Sequence, residues 1–151
     1  MTTIQVAAAK AALYTTLVAL YASDAEILVR YGPRGASTRD VMVCVTDVKS
    51  EYMVATIAPS RPLDEAAEIT VIISAGTPGA DTQQAATERA YGVLQLLVDY
   101  LQTSPNETLG LGPRARARVI SAELREDPDR ALLATGHNAA LTVIVSVQTR
   151  I

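Results

Sequence analysis

The sequence predicts a small α+β domain, and three observations carry that expectation. The run Glu68-Ile-Thr-Val-Ile-Ile-Ser74 is the most β-branched of the chain, which marks a strand. A Gly/Pro turn, Gly76-Thr-Pro-Gly79, ends it, and a helical pattern runs from about Asp81 to Leu101. Two further strand-like runs come after that helix, the last from Ala140 to Ile151. Because this last run reaches the final residue, it is expected to serve the structure as a paired strand.

Each element has its own local justification. Residues 3–22 read as a helix, since Ala7, Ala8, Ala9, Ala11 and Ala12 have high helix propensity and Thr2 or Thr3 suits the N-cap. Ile4, Ala8, Ala11, Leu17, Val18 and Tyr21 are expected to form its apolar stripe. Glu26 to Tyr31 is a first strand, and Gly32 to Asp40 has loop composition. Val41 to Val45 and Tyr52 to Ala58 read as two short strands, with Thr46-Asp47 and Lys49-Ser50 as turn material between them. Pro59 and Pro62 break the stretch after Ala58. Glu68 to Ser74 is apolar on both faces, which suits a central strand.

The second helix has the clearest local grammar. Asp81 suits its N-cap, with Gln84 in capping-box position. Ala90, Leu94, Leu97, Val98 and Leu101 fall on one face, and Ser104-Pro105-Asn106 stops the helix. Leu109-Gly-Leu-Gly-Pro113 leads into a strand from Ala115 to Arg125. A charged turn, Glu126-Asp-Pro-Asp-Arg130, and a less regular stretch through Gly136 precede the last strand.

Composition narrows the function classes. A chain of 151 residues fits one domain spanning 1–151. It has no Trp and no Phe, so an aliphatic core is expected, with six tyrosines as the aromatics. The formal net charge of −3 argues against nucleic acid or an anionic membrane as a global partner. Cys44 is the one cysteine; it reads as a small buried apolar residue and fits folding in a reducing compartment. Neither a signal peptide nor a transmembrane helix is expected.

No catalytic or metal constellation stands out. Nucleophilic hydrolysis needs a base beside the nucleophile, and the single histidine, His137, lies in a Thr-Gly-His-Asn run that reads as a loop. One Cys and one His far apart do not suggest zinc, and Asp127 and Asp129 flank a proline as turn residues do. Gly76 to Gly79 lacks both the G-K-[ST] ending and the G-x-G-x-x-G spacing of phosphate-binding turns. No cofactor is expected.

The arginine pattern carries the most weight. Arg114, Arg116 and Arg118 alternate, so a strand there points all three to one side. Arg30, Arg34 and Arg39 form a second set around the first loop. The plain reading is a solvated strand face. The functional reading is a positive strip facing a neighbouring subunit or a lumen. Acidic segments at Asp64, Glu65 and Glu68, and at Glu123, Glu126, Asp127 and Asp129, suit head-to-tail binding of copies.

The chain resembles the tail terminator, or tail-to-head joining, proteins of long-tailed bacteriophages. The resemblance spans the N-terminal helix, Tyr31-Gly-Pro-Arg-Gly35, Asp40 to Val45, Ser50 to Val54, and the strand Ile69 to Ser74. It continues through the helix opening Asp81 to Ala90, Thr108-Leu-Gly-Leu-Gly112 and the closing strand Leu141 to Ile151. At Thr108-Leu109 the chain departs from the usual pattern, reading Gly-Leu-Gly-Pro where Gly-Gly or Gly-X-Val is common. The resemblance implies a mixed, mainly antiparallel sheet flanked by the N-terminal and central helices, with subunits closing into a hexameric ring. That ring would cap the tail tube, touch the tail tube protein and the head-tail connector or stopper protein, and let DNA pass through its lumen without specific binding. It implies a virion protein of the tail or neck, assembled in the host cytoplasm, with no membrane partner and no catalytic residues. Another head-tail neck or completion protein is the alternative within virions. A small-ligand-binding α+β module is the alternative of another class.

Overall fold

The computed structural model describes residues 6–32, 41–54, 63–77, 83–111, 115–126 and 137–150. The elements are α1 (Val6–Leu20), β1 (Ile27–Tyr31), β2 (Val41–Val54), β3 (Leu63–Thr77), α2 (Gln83–Gln102), a short 3₁₀ turn at Asn106–Thr108, β4 (Arg116–Glu126) and β5 (His137–Arg150). The five strands form one sheet in the order β1-β2-β3-β5-β4. β1 runs parallel to β2, and every other pair is antiparallel. The α+β class and the mixed, mainly antiparallel sheet are therefore as expected.

Both helices pack on one face of the sheet. α2 lies over β3, β5 and β4, and α1 lies over β1, β2 and β3. The sheet answers with alternate residues: Val41, Val43 and Val45 on β2, Ile69, Val71 and Ile73 on β3, and Leu141, Val143, Val145 and Val147 on β5, all buried. Strand parity produces this layer, because residues two apart share a face. The core is aliphatic, as the absence of Phe and Trp requires. β3, in the middle of the sheet, is buried on its helix side, while Thr70 and Ile72 are half-buried on the other.

α2 buries the expected face. Ala90, Leu94, Leu97 and Leu101 are buried, Val98 is half-buried, and Ala86 and Val93 join them. Asp81, the expected N-cap, lies outside the described residues, and Gln84 spends its amide on Glu88 one turn later. α1 corrects the expected stripe. Its buried side chains are Ala9, Leu13, Leu17 and, just past the helix, Tyr21, each four residues apart. Ala8, Ala11 and Val18 are exposed. A methyl group contributes little burial, so the two leucines decide which way an Ala-rich helix faces. Ile4, Thr2 and Thr3 lie outside the described residues.

Three strands run longer than expected. β2 passes straight through Thr46 to Ser50, where composition predicts a turn, because a bulge between Val45 and Val48 absorbs the irregularity within the β2–β3 ladder. The expected second strand up to Ala58 is described to Val54 as the end of β2. β3 begins at Leu63, and β5 begins at His137, paired with Thr77. His137 is thus a strand residue rather than a loop residue. A second bulge, between Val119 and Ser121, leaves Ile120 without a partner on β5.

Candidate functional site

The candidate site is the outer edge of the sheet, where β4 is the last strand. Ala115 and Ala117 turn into the protein, at 1% and 3% exposure, and Arg116 and Arg118 between them are exposed. The expected parity of the arginines therefore holds for this pair. Both sit on the sheet face away from the helices. Arg116 faces Gln148 and Arg118 faces Ser146 across the β4–β5 pair. Arg114, Arg34 and Arg39 lie outside the described residues.

The pairing register shows what surrounds the pair. Ser146 pairs with Glu68 on β3, and Glu68 pairs with Lys49 on β2. The row Arg118, Ser146, Glu68, Lys49 thus crosses the open face. Strands lie about 4.8 Å apart, so Arg118 and Glu68 have backbones about 10 Å apart. The Arg116 guanidinium donates to the carbonyl of Ala115 at 2.8 Å, lying back along its own strand. Arg118 makes no hydrogen bond or ion pair among the described residues. Arg30, half-buried on β1, sits at the opposite edge, so it and the β4 pair form separate patches.

On the helix side of the sheet, a clasp joins the end of α1 to α2. The buried Tyr21 hydroxyl donates to the Val93 carbonyl at 2.6 Å, and burial pushes its phenol well above the usual range. Arg89 donates to Asp24 at 2.7 Å, and the Glu26 backbone N–H donates to the same carboxylate at 3.0 Å. The Arg89 hydrogen bond, more than the Glu26 one, holds the Asp24 carboxyl below the ordinary range. Nothing local in the sequence marks Arg89 or Tyr21 for these roles, because their partners are 65 and 72 residues away. Nearby, the Tyr14 and Tyr31 rings meet edge to face at 5.5 Å, and the Lys10 ammonium lies 4.4 Å from the Tyr31 ring centre.

Beside the clasp is a concavity of about 330 Å³ between α1 and β1, lined mainly by Tyr14, Val18, Tyr21, Ile27, Leu28 and Val29, with Asp24 at its rim. Its two strongest polar groups are already engaged, Tyr21 by Val93 and Asp24 by Arg89. A specific small-ligand site needs convergent polar groups available to the ligand. Among the described residues no group of three or more His, Cys, Asp or Glu side chains is placed to hold a metal ion. Cys44 is buried at 1% exposure on β2, as expected. Among the described residues no helix is long and apolar enough to cross a membrane.

No protein-family profile matches the chain, and no curated protein matches it in sequence. Among solved structures, the fold is similar to a chain from the virion of a native gene transfer agent particle, at 17% identity and a TM-score of 0.47. That similarity covers 97% of this chain and 99% of the other.

Proposed function

We propose that this chain is a structural protein of a phage-type virion, a tail terminator whose subunits close into a hexameric ring on the tail tube. The ring ends tube polymerisation and presents the surface to which the head connector or stopper protein joins. DNA passes through its lumen without specific binding, and the protein performs no catalysis. The observation that carries the reading is the edge strand β4, which presents Arg116 and Arg118 side by side in solvent on an otherwise acidic chain. Such a strip suits contact with the acidic surface of another copy, and contacts between unlike surfaces generate rings. The element order on which the resemblance rests, helix, strands, helix and two closing strands, is also the order of the fold. The small-ligand alternative finds less support, since two polar groups of the α1–β1 concavity, the Tyr21 hydroxyl and the Asp24 carboxylate, are spent on the clasp.

The test is electron microscopy of the purified protein, alone and mixed with tail tubes polymerised from tube protein. The expected result is a ring seated on one end of each tube and tubes that stop growing. Tubes that lengthen unchanged and carry no cap would overturn the proposal.

A further inference from the structure

The sheet ends in two edge strands. Among the described residues β1 pairs only with β2, and β4 only with β5. An edge strand carries a row of backbone donors and acceptors able to add a further strand. The pairing register puts the two edges at one level. The row Val29, Val43, Ile73, Leu141, Leu124 crosses the sheet from β1 to β4, and so does the row Arg30, Cys44, Ile72, Thr142, Glu123. Residues 27–31 are thus level with residues 122–126 in reverse order. One parallel and three antiparallel pairings leave β4 antiparallel to β1.

Backbone direction agrees. The Val41 N–H donates to the Glu26 carbonyl at 3.0 Å, and the Gly32 N–H donates to the Val45 carbonyl at 2.8 Å. The even-numbered residues of β1 therefore turn their backbone groups toward β2, and Val29 and Tyr31 turn theirs to the edge. Carried through the ladder, the same alternation gives Met42 and Cys44 to β3, Val71 and Ile73 to β5, and Ala140 and Thr142 to β4. Ala122 and Leu124 are left facing the outer edge. A second copy beside the first, in the plane of the sheet, sets Val29 against Leu124 as a hydrogen-bonded pair. The helices of both copies then lie on the same side.

Charge selects the register. On the open face this level puts Arg30 opposite the exposed Glu123 of the other copy. Leu28 stands opposite Arg125, and the exposed Glu26, two residues before Leu28, becomes a diagonal neighbour of Arg125. A shift by two residues in one direction opposes Arg30 to Arg125, and in the other it runs β1 into the bulge at Ile120. A shift by one turns the apolar side chains to the wrong face.

Resting on the ring reading above, we propose that neighbouring copies join by main-chain pairing of β1, at residues 27–31, with residues 122–126 of β4 in the next copy. The sheet then continues from subunit to subunit, and Arg116 and Arg118 lie past the end of this ladder. The two edges differ, so the contact is heterologous, and repeated it gives a ring when the rotation between copies closes.

The experiment uses two variants, Arg30→Cys and Glu123→Cys, mixed on tail tubes under mild oxidation. Both carry Cys44→Ala, because Cys44 neighbours position 30 on β2. Covalent dimers are expected from the mixture and not from either variant alone. Across the joint the pair is of the non-hydrogen-bonded kind, with Cα atoms about 4.5 Å apart and within disulfide reach. Within one chain the two positions are four strand spacings apart, about 19 Å, which is out of reach. Charge reversal provides an independent reading. Arg30→Glu is expected to raise the concentration needed for ring formation about tenfold, and Glu123→Arg in the same chain to restore it. Circular dichroism checks that each variant folds. Capped tubes without cross-links between positions 30 and 123 would overturn this interface and leave the terminator reading standing. Uncapped tubes with folded wild-type protein would overturn both.

Discussion

Leu97 is the side chain whose removal tests the packing most directly. It lies on the sheet-facing side of α2, is fully buried, and belongs to the same core as Leu141 and Val143. Leu97→Ala keeps helix propensity, so the loss is one of packing. Truncating a fully buried leucine costs about 2–5 kcal/mol, the upper part applying where the surroundings cannot collapse. Here the cavity floor is a sheet held on both sides by neighbouring strands, which argues for the middle of that range, about 3 kcal/mol. In a domain of this size each kcal/mol moves the thermal midpoint by about 2–4 °C, so a drop of about 6–12 °C is expected. The neighbouring residue is the control. Leu96 is 49% exposed, and Leu96→Ala should move the midpoint by no more than about 2 °C. Gln95→Ala, which loses only an exposed bond to Asp99, should behave like Leu96→Ala. Differential scanning calorimetry of the three variants gives the answer. Equal midpoints for Leu97→Ala and Leu96→Ala would refute the assignment of the buried face.

The clasp and the core supply the other expected outcomes. Tyr21→Phe removes the bond to the Val93 carbonyl and is expected to cost about 1 kcal/mol, read from urea unfolding midpoints. Asp24 is held below the usual carboxylate range by Arg89, so its contribution to stability is present above about pH 4 and is lost as pH falls through the lowered value. Asp24→Asn should therefore lose less stability than the wild type between about pH 5 and pH 2, measured by the same midpoints; parallel losses would remove the clasp from the account. Buried Cys44 should react with a thiol reagent only at the rate of unfolding, and Cys44→Ala should still assemble after a modest loss of stability. His137→Ala is expected to leave assembly intact, and loss of assembly in a folded variant would reopen the catalytic and metal readings.

How far the fold is legible in the sequence depends on where the information lies. α2 is legible because Leu94, Leu97 and Leu101 repeat at helical spacing against a polar background. α1 is legible as a helix but not as a face, because the alanines at 7–9 and 11–12 and the apolar Val18 and Leu20 blur the contrast with Leu13 and Leu17. β2 reads as two strands because Asp47, Lys49 and Ser50 have turn composition. They are tolerated there because a bulge takes up the irregularity and, among the described residues, β3 is the strand that pairs with this half of β2. The start of β5 is hidden for a related reason: His137 and Asn138 have loop composition, and it is pairing with Thr77 and Gly76 on β3 that makes them strand. Of the site, the shared side of Arg116 and Arg118 comes from parity alone. The Asp24–Arg89 and Tyr21–Val93 contacts do not, since long-range partners leave no local trace.

The two bulges also decide where this chain tolerates a change in length. Within a ladder, removing one residue turns everything beyond it inside out, sending charged side chains into the core and apolar ones into water. Ile120 is an exception. Val119 and Ser121 already pair with the consecutive residues Val145 and Ile144, so excising Ile120 leaves Ala122 and Leu124 opposite Val143 and Leu141, and Glu123 and Arg125 on the other face. The same holds for one residue between Val45 and Val48, which face Val71 and Ile69 with only Thr70 between them. Relatives that differ from this chain by single-residue gaps in these strands should carry those gaps at the two bulges and at no other point along β2 or β4.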